Sequence, residues 1–452
     1  MWLIKYIQKM PYGYWDFKIG NHELKEISMQ NMTRREFTRK SAMVGAGFVA
    51  SNFVVFAGKR PLRNAELSVS IPMPIQIVID DVGWWSGEDG HERQQPYRTG
   101  ISRNHVPADY QAIADLGVKL GVRPQAATIL CQWDRENILQ NVPTSTWMRE
   151  KWDNSKWVGP WLDEAADIIR NNQNHYELTM HGVGHEYWQD ENMTRAEWAD
   201  SSGQMRPQDQ VELHLDYFQK LLNQNQLGPF PTSFVPTAFL HGFGMTGEYK
   251  ISMAEVIKKR GIEYINTPFS NMYNARGAQF GLFGIDSGVI TVDRGEDLLD
   301  WNDFGKRPSG ALTGPTCGLH WPNLLHKDPS RNSEIVDAWV KFLKPYNDKP
   351  ETLLAKNSSS FRNQLVHHVC TKVQIREDKI DIDFLETNKL NAQLSNNQLT
   401  LKIESERKLT FHLDDVKLSK SKPGQEKDNY LYTLVIECIK DLEKAVLKFE
   451  VS

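Results

Sequence analysis

Ile75-Gln-Ile-Val-Ile79-Asp80-Asp81 is the stretch from which the rest of the chain can be ordered. The run is short, apolar and β-branched, which suits a buried strand better than a helix. It stops on two adjacent carboxylates. In parallel sheets covered by helices, ligands bind beyond the carboxyl ends of the strands, so an Asp pair there stands where chemistry occurs. A turn or a helix cap explains the pair equally well, since Asp favours both.

Downstream, short apolar runs alternate with amphipathic stretches. Asp109–Leu120 has helical spacing and stops at Gly121. Ala126–Cys131 reads as a strand, Trp161–Asn171 as a helix, and Tyr176–Met180 as a strand running into His181. Pro207–Leu222 is a helix opened by proline, with Val211, Leu215, Phe218 and Leu222 on one face. Phe234–Phe239, Ile262–Asn266, Val289–Val292 and Leu319–His320 read as strands, and Ser252–Arg260 and Asn332–Leu343 as helices. Repeated strand–helix units imply an α/β domain of parallel strands, either an open sheet or a barrel, over about residues 70–346.

After Pro345 the texture changes. A polar stretch leads to alternating segments: Lys372–Arg376, Ile380–Phe384, Leu399–Ile403, Lys408–Leu413, Tyr430–Ile436 and Ala445–Phe449. They imply a small all-β module of sandwich type over residues 362–452. His367 and His368 fall in its entry segment and read as structural residues on opposite sides of a strand.

A length of 452 residues suits two domains, and 40% apolar with 24% charged residues is globular. A net charge of -4 offers no basic footprint for nucleic acid. Four cysteines are too few for a disulfide framework. Cys131 and Cys317 read as buried thiols, while Cys370 and Cys438 could pair in an oxidising compartment.

Residues 33–40, Thr-Arg-Arg-Glu-Phe-Thr-Arg-Lys, precede an apolar, small-residue run from Ser41 to Ala57. This layout resembles a twin-arginine export signal over residues 32–58, which implies a periplasmic or cell-surface protein of a bacterium. A basic amphipathic helix or a short anchor are the other readings; the run is short against the roughly 20 residues of a membrane span. Val55-Phe-Ala57 resembles a cleavage site. Residues 1–31 then form an upstream extension, with Met32 as the start. No other stretch is apolar enough to span a bilayer, so no stable span is expected once the signal is removed.

Three more pieces follow predicted strands. His181-Gly-Val-Gly-His185 places two imidazoles four residues apart, able to reach one ion, with glycines that let the backbone approach closely. Exposed histidines on a glycine-rich loop are the plain alternative. Asp297-Leu-Leu-Asp300-Trp301 is by itself an acidic loop. Cys317-Gly-Leu319-His320 ends a short strand in a histidine.

The order of the four pieces resembles the polysaccharide deacetylases (NodB-like, carbohydrate esterase family four) over roughly residues 74–343. That resemblance implies a distorted (β/α) barrel and a metal-dependent hydrolase that removes an acyl group from an N- or O-acetylated sugar. Asp81, His181 and His185 would hold one divalent ion, Zn²⁺ by expectation, leaving a position for water. Asp80 would be the general base and His320 the acid for the leaving amine. Asp300 would orient His320. Trp301 and Leu319 would wall the acetyl group, and backbone N–H groups near Thr237, after Pro236, would serve as oxyanion donors.

The chain departs from the family pattern in three ways. The third family element should begin with an Arg that steadies the base, but the stretch here is Phe234-Val-Pro236-Thr-Ala-Phe. Gly182 replaces the usual Ser or Thr. The segment between Asp81 and His181 is long and carries Trp133, Trp147, Trp152, Trp157 and Trp161, with Trp84 and Trp85 just after the Asp pair. These indoles either stack on sugar rings or pack an inserted subdomain. His241 and His326 are rival candidates for the acid. The competing functions are a carbohydrate-binding homologue that lost catalysis, for which the missing Arg speaks, and a glycoside hydrolase with paired carboxylates.

Overall fold

In the computed structural model, the Ile75 run lies inside strand β1 (Met73–Val82), the centre of the main sheet. The structure describes residues 67–87, 101–190, 192–242, 251–269, 282–390, 394, 398–413, 417–426, 429–437 and 442–451, and short strands at 18–19, 22–23, 62–63 and 278–279. The stretch read as an export signal lies outside these residues. So does Cys438, and with it the expected pairing to Cys370.

Seven parallel strands follow in chain order: β1, then β2 (Gln125–Ile129), β3 (Glu177–Gly182), β4 (Ser233–Phe234), β5 (Tyr264–Thr267), β6 (Val289–Asp293) and β7 (Thr316–His320). Each pairs with its predecessor up to β6, and β7 returns to lie beside β1. The ring is therefore interrupted between β6 and β7, and β6 pairs instead with the antiparallel strand Phe283–Asp286. The architecture is mixed α/β with a curled parallel sheet, an incomplete barrel consistent with the distorted barrel expected.

The curl follows from reach. On a flat sheet β5 and β7 would stand five strand spacings apart, about 24 Å. Yet Asn266 Nδ2 of β5 donates to Thr316 Oγ1 of β7 at 2.8 Å. Similar links cross the interior from Gln125 Nε2 to Ser233 Oγ (2.8 Å) and from Tyr264 to Gln125. Polar side chains thus line the inside and bond to one another across it, as most buried polar groups do.

The apolar layer lies outside the strands, under helices α1 (Pro107–Leu120), α2 (Pro160–Asn171), α3 (Gln208–Gln224), α4 (Met253–Lys258) and α5 (Asn332–Asp348). The expected face of α3, Val211, Leu215, Phe218 and Leu222, is buried. Each such side chain contributes about 1.5–3 kcal/mol by leaving water. Two boundaries differ from expectation. The strand at Phe234 ends at once, because Ala238 and Phe239 take φ of 51° and 58°. Helix α5 continues through Pro345 to Asp348.

His367 and His368 lie on a helix, α6 (Ser358–Cys370), and not on a strand. Asn357 caps it by accepting from Ser360 N at 2.8 Å, which starts a helix where alternation alone suggested extension. Both imidazoles are buried and structural: His367 Nδ1 lies 2.8 Å from Thr371 Oγ1 and His368 Nδ1 lies 2.7 Å from Ile71 O.

The strands that follow α6, together with Leu62–Arg63 and Leu67–Ser70, form two antiparallel sheets whose apolar faces share one core, including Ile380, Leu401, Leu434 and Leu447. One sheet contains a strand from the other end of the described chain: Leu67–Ser70 pairs with Gln398–Ser405. The module is thus completed by residues preceding β1. Lys402 in that sheet is buried and donates to the carbonyls of Asn347, in the last turn of α5, and of Lys349 and Thr352 just beyond it, at 2.5–2.8 Å. Among the described residues, no helix is long and apolar enough to cross a membrane.

Candidate metal centre

Successive side chains on a regular strand point to opposite faces, so Asp80 and Asp81 should diverge. They do not, because the pairing of β1 with β2 shifts register between Ile79 and Val82 and Asp81 takes a φ of 64°. This bulge brings both carboxylates to the end of the sheet. Left-handed backbone at a non-glycine residue is strain of the kind concentrated at functional sites.

At the end of β3, His181 Nε2 lies 3.2 Å from Asp81 Oδ1. His185, at a φ of 69°, places Nε2 3.3 Å from the same oxygen. All three residues are buried. Burial alone would raise the Asp81 carboxyl, but the His181 hydrogen bond and the nearby His185 and His320 hold it far below the usual carboxylate range. Burial would lower the His181 imidazole, yet Asp81 raises it above its ordinary value.

The donor set fits a divalent ion. Bonds of about 2.0–2.2 Å in a tetrahedron set neighbouring ligand atoms about 3.3 Å apart, the spacing seen here. His181 Nδ1 lies 2.6 Å from Val235 O, and a carbonyl can only accept, so Nδ1 carries a proton. In the neutral ring Nε2 then presents a lone pair toward a carboxylate oxygen, an arrangement that suits a cation held between them. The ligand atoms of Asp81, His181 and His185 all lie within 4.8 Å of one another.

A second group lies beside the first: Asp80, Asp297 and His320 also bring ligand atoms within 4.8 Å. Here the cation is part of the chain. Arg294, just past β6, donates from Nη1 to Asp80 Oδ2 at 3.0 Å and from Nη2 to Asp297 Oδ1 at 2.8 Å. Burial would lower this guanidinium's pKa, but Asp297 and Asp80 raise it above its ordinary value. Asp80 Oδ1 is buried and accepts no hydrogen bond among the described residues. His320 pairs in register with Asp80, with Nε2 3.8 Å from Asp81 Oδ2 and Nδ1 3.8 Å from Asp297 Oδ2. Gly318 permits this: a Cβ there would lie 2.0 Å from Arg294 Nη2.

No protein-family profile matches the chain, and no curated protein matches it. Among solved structures, a CE4 family pseudoenzyme from Bacillus anthracis aligns at 9% identity and a TM-score of 0.32, covering 64% of this chain and 65% of that one. The chain therefore spans just under two thirds of that neighbour. A family 4 carbohydrate esterase from Streptomyces lividans, solved with acetate, aligns at 11% identity and a TM-score of 0.26, covering 60% and 88%. A GH57-type branching enzyme from Pyrococcus horikoshii aligns at 10% identity and a TM-score of 0.31, covering 66% and 64%. Likenesses this distant leave the chemistry to be argued from the residues themselves.

The structure brings together Asp80, Asp81, His181, His185 and His320, and corrects other assignments. Asp300 is exposed, and Asn323 Nδ2 donates to its backbone carbonyl at 3.0 Å; Asp297 is the carboxylate facing His320. One turn of loop separates the two, which spacing could not resolve. Trp84 and Trp85 are fully buried, and Trp85 packs on Tyr110 and Trp133, so neither indole is open to a sugar. Pro236 and Leu319 are likewise buried, while Trp301 is half-buried against the core. Thr237 Oγ1 accepts from Glu197 N at 2.8 Å. His241 pairs with Asp286 at 3.0 Å, and His326 Nδ1 accepts from Asp328 N at 3.0 Å; neither is joined to the cluster by these bonds.

Sequence reasoning missed Arg294 and Glu197. Arg294 stands one residue beyond a correctly read strand, and that position was its only signal. The carboxylate of Glu197 accepts from the amides of Val183, Gly184 and His185 at 2.9–3.2 Å.

Proposed function

We propose that the chain is a metal-dependent hydrolase of the deacetylase type, acting on an acylated amino sugar or related amide or ester. The observation that carries this reading is the Asp81, His181 and His185 cluster, with the outer nitrogen of His181 committed to Val235 O. A divalent ion held there would polarise the acyl carbonyl and acidify a water molecule. Asp80 Oδ1 is the acceptor for the water's proton, and Arg294 holds the other oxygen of that carboxylate. His320 lies on the neighbouring strand, placed to give a proton to the leaving nitrogen or oxygen, with Asp297 beside its far ring nitrogen. The charge-then-apolar layout of residues 33–57 supports an exported location.

The case for a binding-only homologue rests on the absent Arg; the Arg294 bond to Asp80, made from just past β6, supports the hydrolase reading instead. The test is elemental analysis of the purified protein beside His181→Ala and His185→Ala, together with turnover of an acetylated chitooligosaccharide by wild type and Asp80→Asn. One equivalent of metal in wild type, its loss in both His variants, and turnover lost in Asp80→Asn are expected. Metal without any amide or ester hydrolysis points to a binding protein, and no metal ends the proposal.

A further inference from the structure

Glu197 is buried, yet its two oxygens receive four hydrogen bonds. Oε1 accepts from Val183 N at 3.0 Å and lies 2.7 Å from His214 Nδ1. Oε2 accepts from Gly184 N at 3.2 Å and His185 N at 2.9 Å. Four donors saturate a carboxylate. Three of them are consecutive amides of the loop joining His181 to His185. The next residue, Trp198, donates from its indole nitrogen to His181 O at 2.6 Å, so one short segment grips both ends of that loop. Its own place is set by Thr237, which accepts from Glu197 N at 2.8 Å.

The fit excludes a side chain at Gly182. A Cβ there would lie 2.2 Å from Glu197 Oε2. The loop therefore holds either a carboxylate from residue 197 or a side chain on residue 182, and not both in their present places. His185 sits at a φ of 69°, a backbone state that needs outside support. The three amide bonds converging on Glu197 supply it.

We infer that Glu197 is a positioning residue that holds His185 in metal-binding geometry, its carboxylate filling the space that a side chain at position 182 would need. This rests on the metal-centre reading above. Zn²⁺ affinity, measured by competition with a chromophoric chelator on the full chain, tests it. Glu197→Gln keeps the shape but offers one acceptor oxygen in place of two. It should weaken Zn²⁺ binding about ten- to a hundredfold and alter the visible spectrum of the Co²⁺-substituted protein, which reports ligand geometry. Gly182→Ala, which presses a methyl group on Oε2, should weaken binding in the same direction.

Wild-type affinity and an unchanged Co²⁺ spectrum in Glu197→Gln overturn the inference while leaving the metal centre standing. If that variant does not fold, wild-type affinity in Gly182→Ala has the same force. A wild-type chain that takes up no Zn²⁺ removes both the centre and the role of Glu197.

Discussion

Arg294 and Asp80 are 214 positions apart in the chain, yet Nη1 of one lies 3.0 Å from Oδ2 of the other. Asp80 lies on β1 and Arg294 just past the end of β6, five steps along the sheet, and only the curl across the gap between β6 and β7 brings them together. The same guanidinium holds the half-buried Asp297, so one buried cation offsets two carboxylates.

Replacing that cation should be costly twice over. Arg294→Gln leaves the buried Asp80 carboxylate without its cation, and breaking a buried ion pair this way costs about 3–5 kcal/mol. With Asp80 no longer held, turnover of an acetylated oligosaccharide should fall on the order of a hundredfold. Metal content should stay at the wild-type level, since no ligand is touched. Denaturant unfolding, kinetics and elemental analysis of the same preparation check all three; a fall in metal content would place Arg294 within the ion site instead.

Asp297 and Asp300 separate cleanly by substitution. Asp297→Asn should lower turnover about ten- to a hundredfold, because it faces His320 and shares Arg294. Asp300→Asn should behave as wild type, its carboxylate being exposed. The reverse order of effects would restore Asp300 as the orienting group.

Stripping the ion should loosen the site more than the barrel. A ligand present at 100 times its Kd stabilises the folded state by about 2.7 kcal/mol. Chelator-treated protein should therefore melt earlier, and Zn²⁺ should restore the wild-type Tm. In Asp81→Asn the restoration should be absent, which calorimetry with and without metal can read.

Acid should weaken the segment beneath His320. Burial would raise the Asp109 carboxyl, but Arg103 and His105, both bonded to it, hold it well below the ordinary 3.8. Burial lowers His105, which stacks on Trp321 with ring centres 3.8 Å apart, below its ordinary 6.5. In both cases the unfolded chain binds the proton more readily, so stability rises with pH. The His105 share is complete above about pH 6.5 and falls away below it. The Asp109 share holds down to about pH 3.8 and fades beneath that. Asp109→Asn should cost about 3–5 kcal/mol at neutral pH and flatten the acid limb of a Tm-against-pH curve. An unchanged limb would assign acid lability elsewhere.

Much of this protein was legible in its sequence. Strands read as buried because β-branched runs such as Ile75–Ile79 suit nothing else at that length, whereas Asp81, His181 and His185 are ambiguous one by one and become a ligand set only through the order they share with the polysaccharide deacetylases. Local chemistry determined the strands, so local reading found them. Tertiary structure alone decided the rest. Arg294 reaches Asp80 through the closing of a curled sheet, Glu197 reaches the His181–His185 loop from a segment of no evident pattern, and Trp84 and Trp85 are buried where composition suggested a sugar platform. Each depends on which side chains meet across space, and sequence spacing carries no measure of that once the chain has turned back on itself.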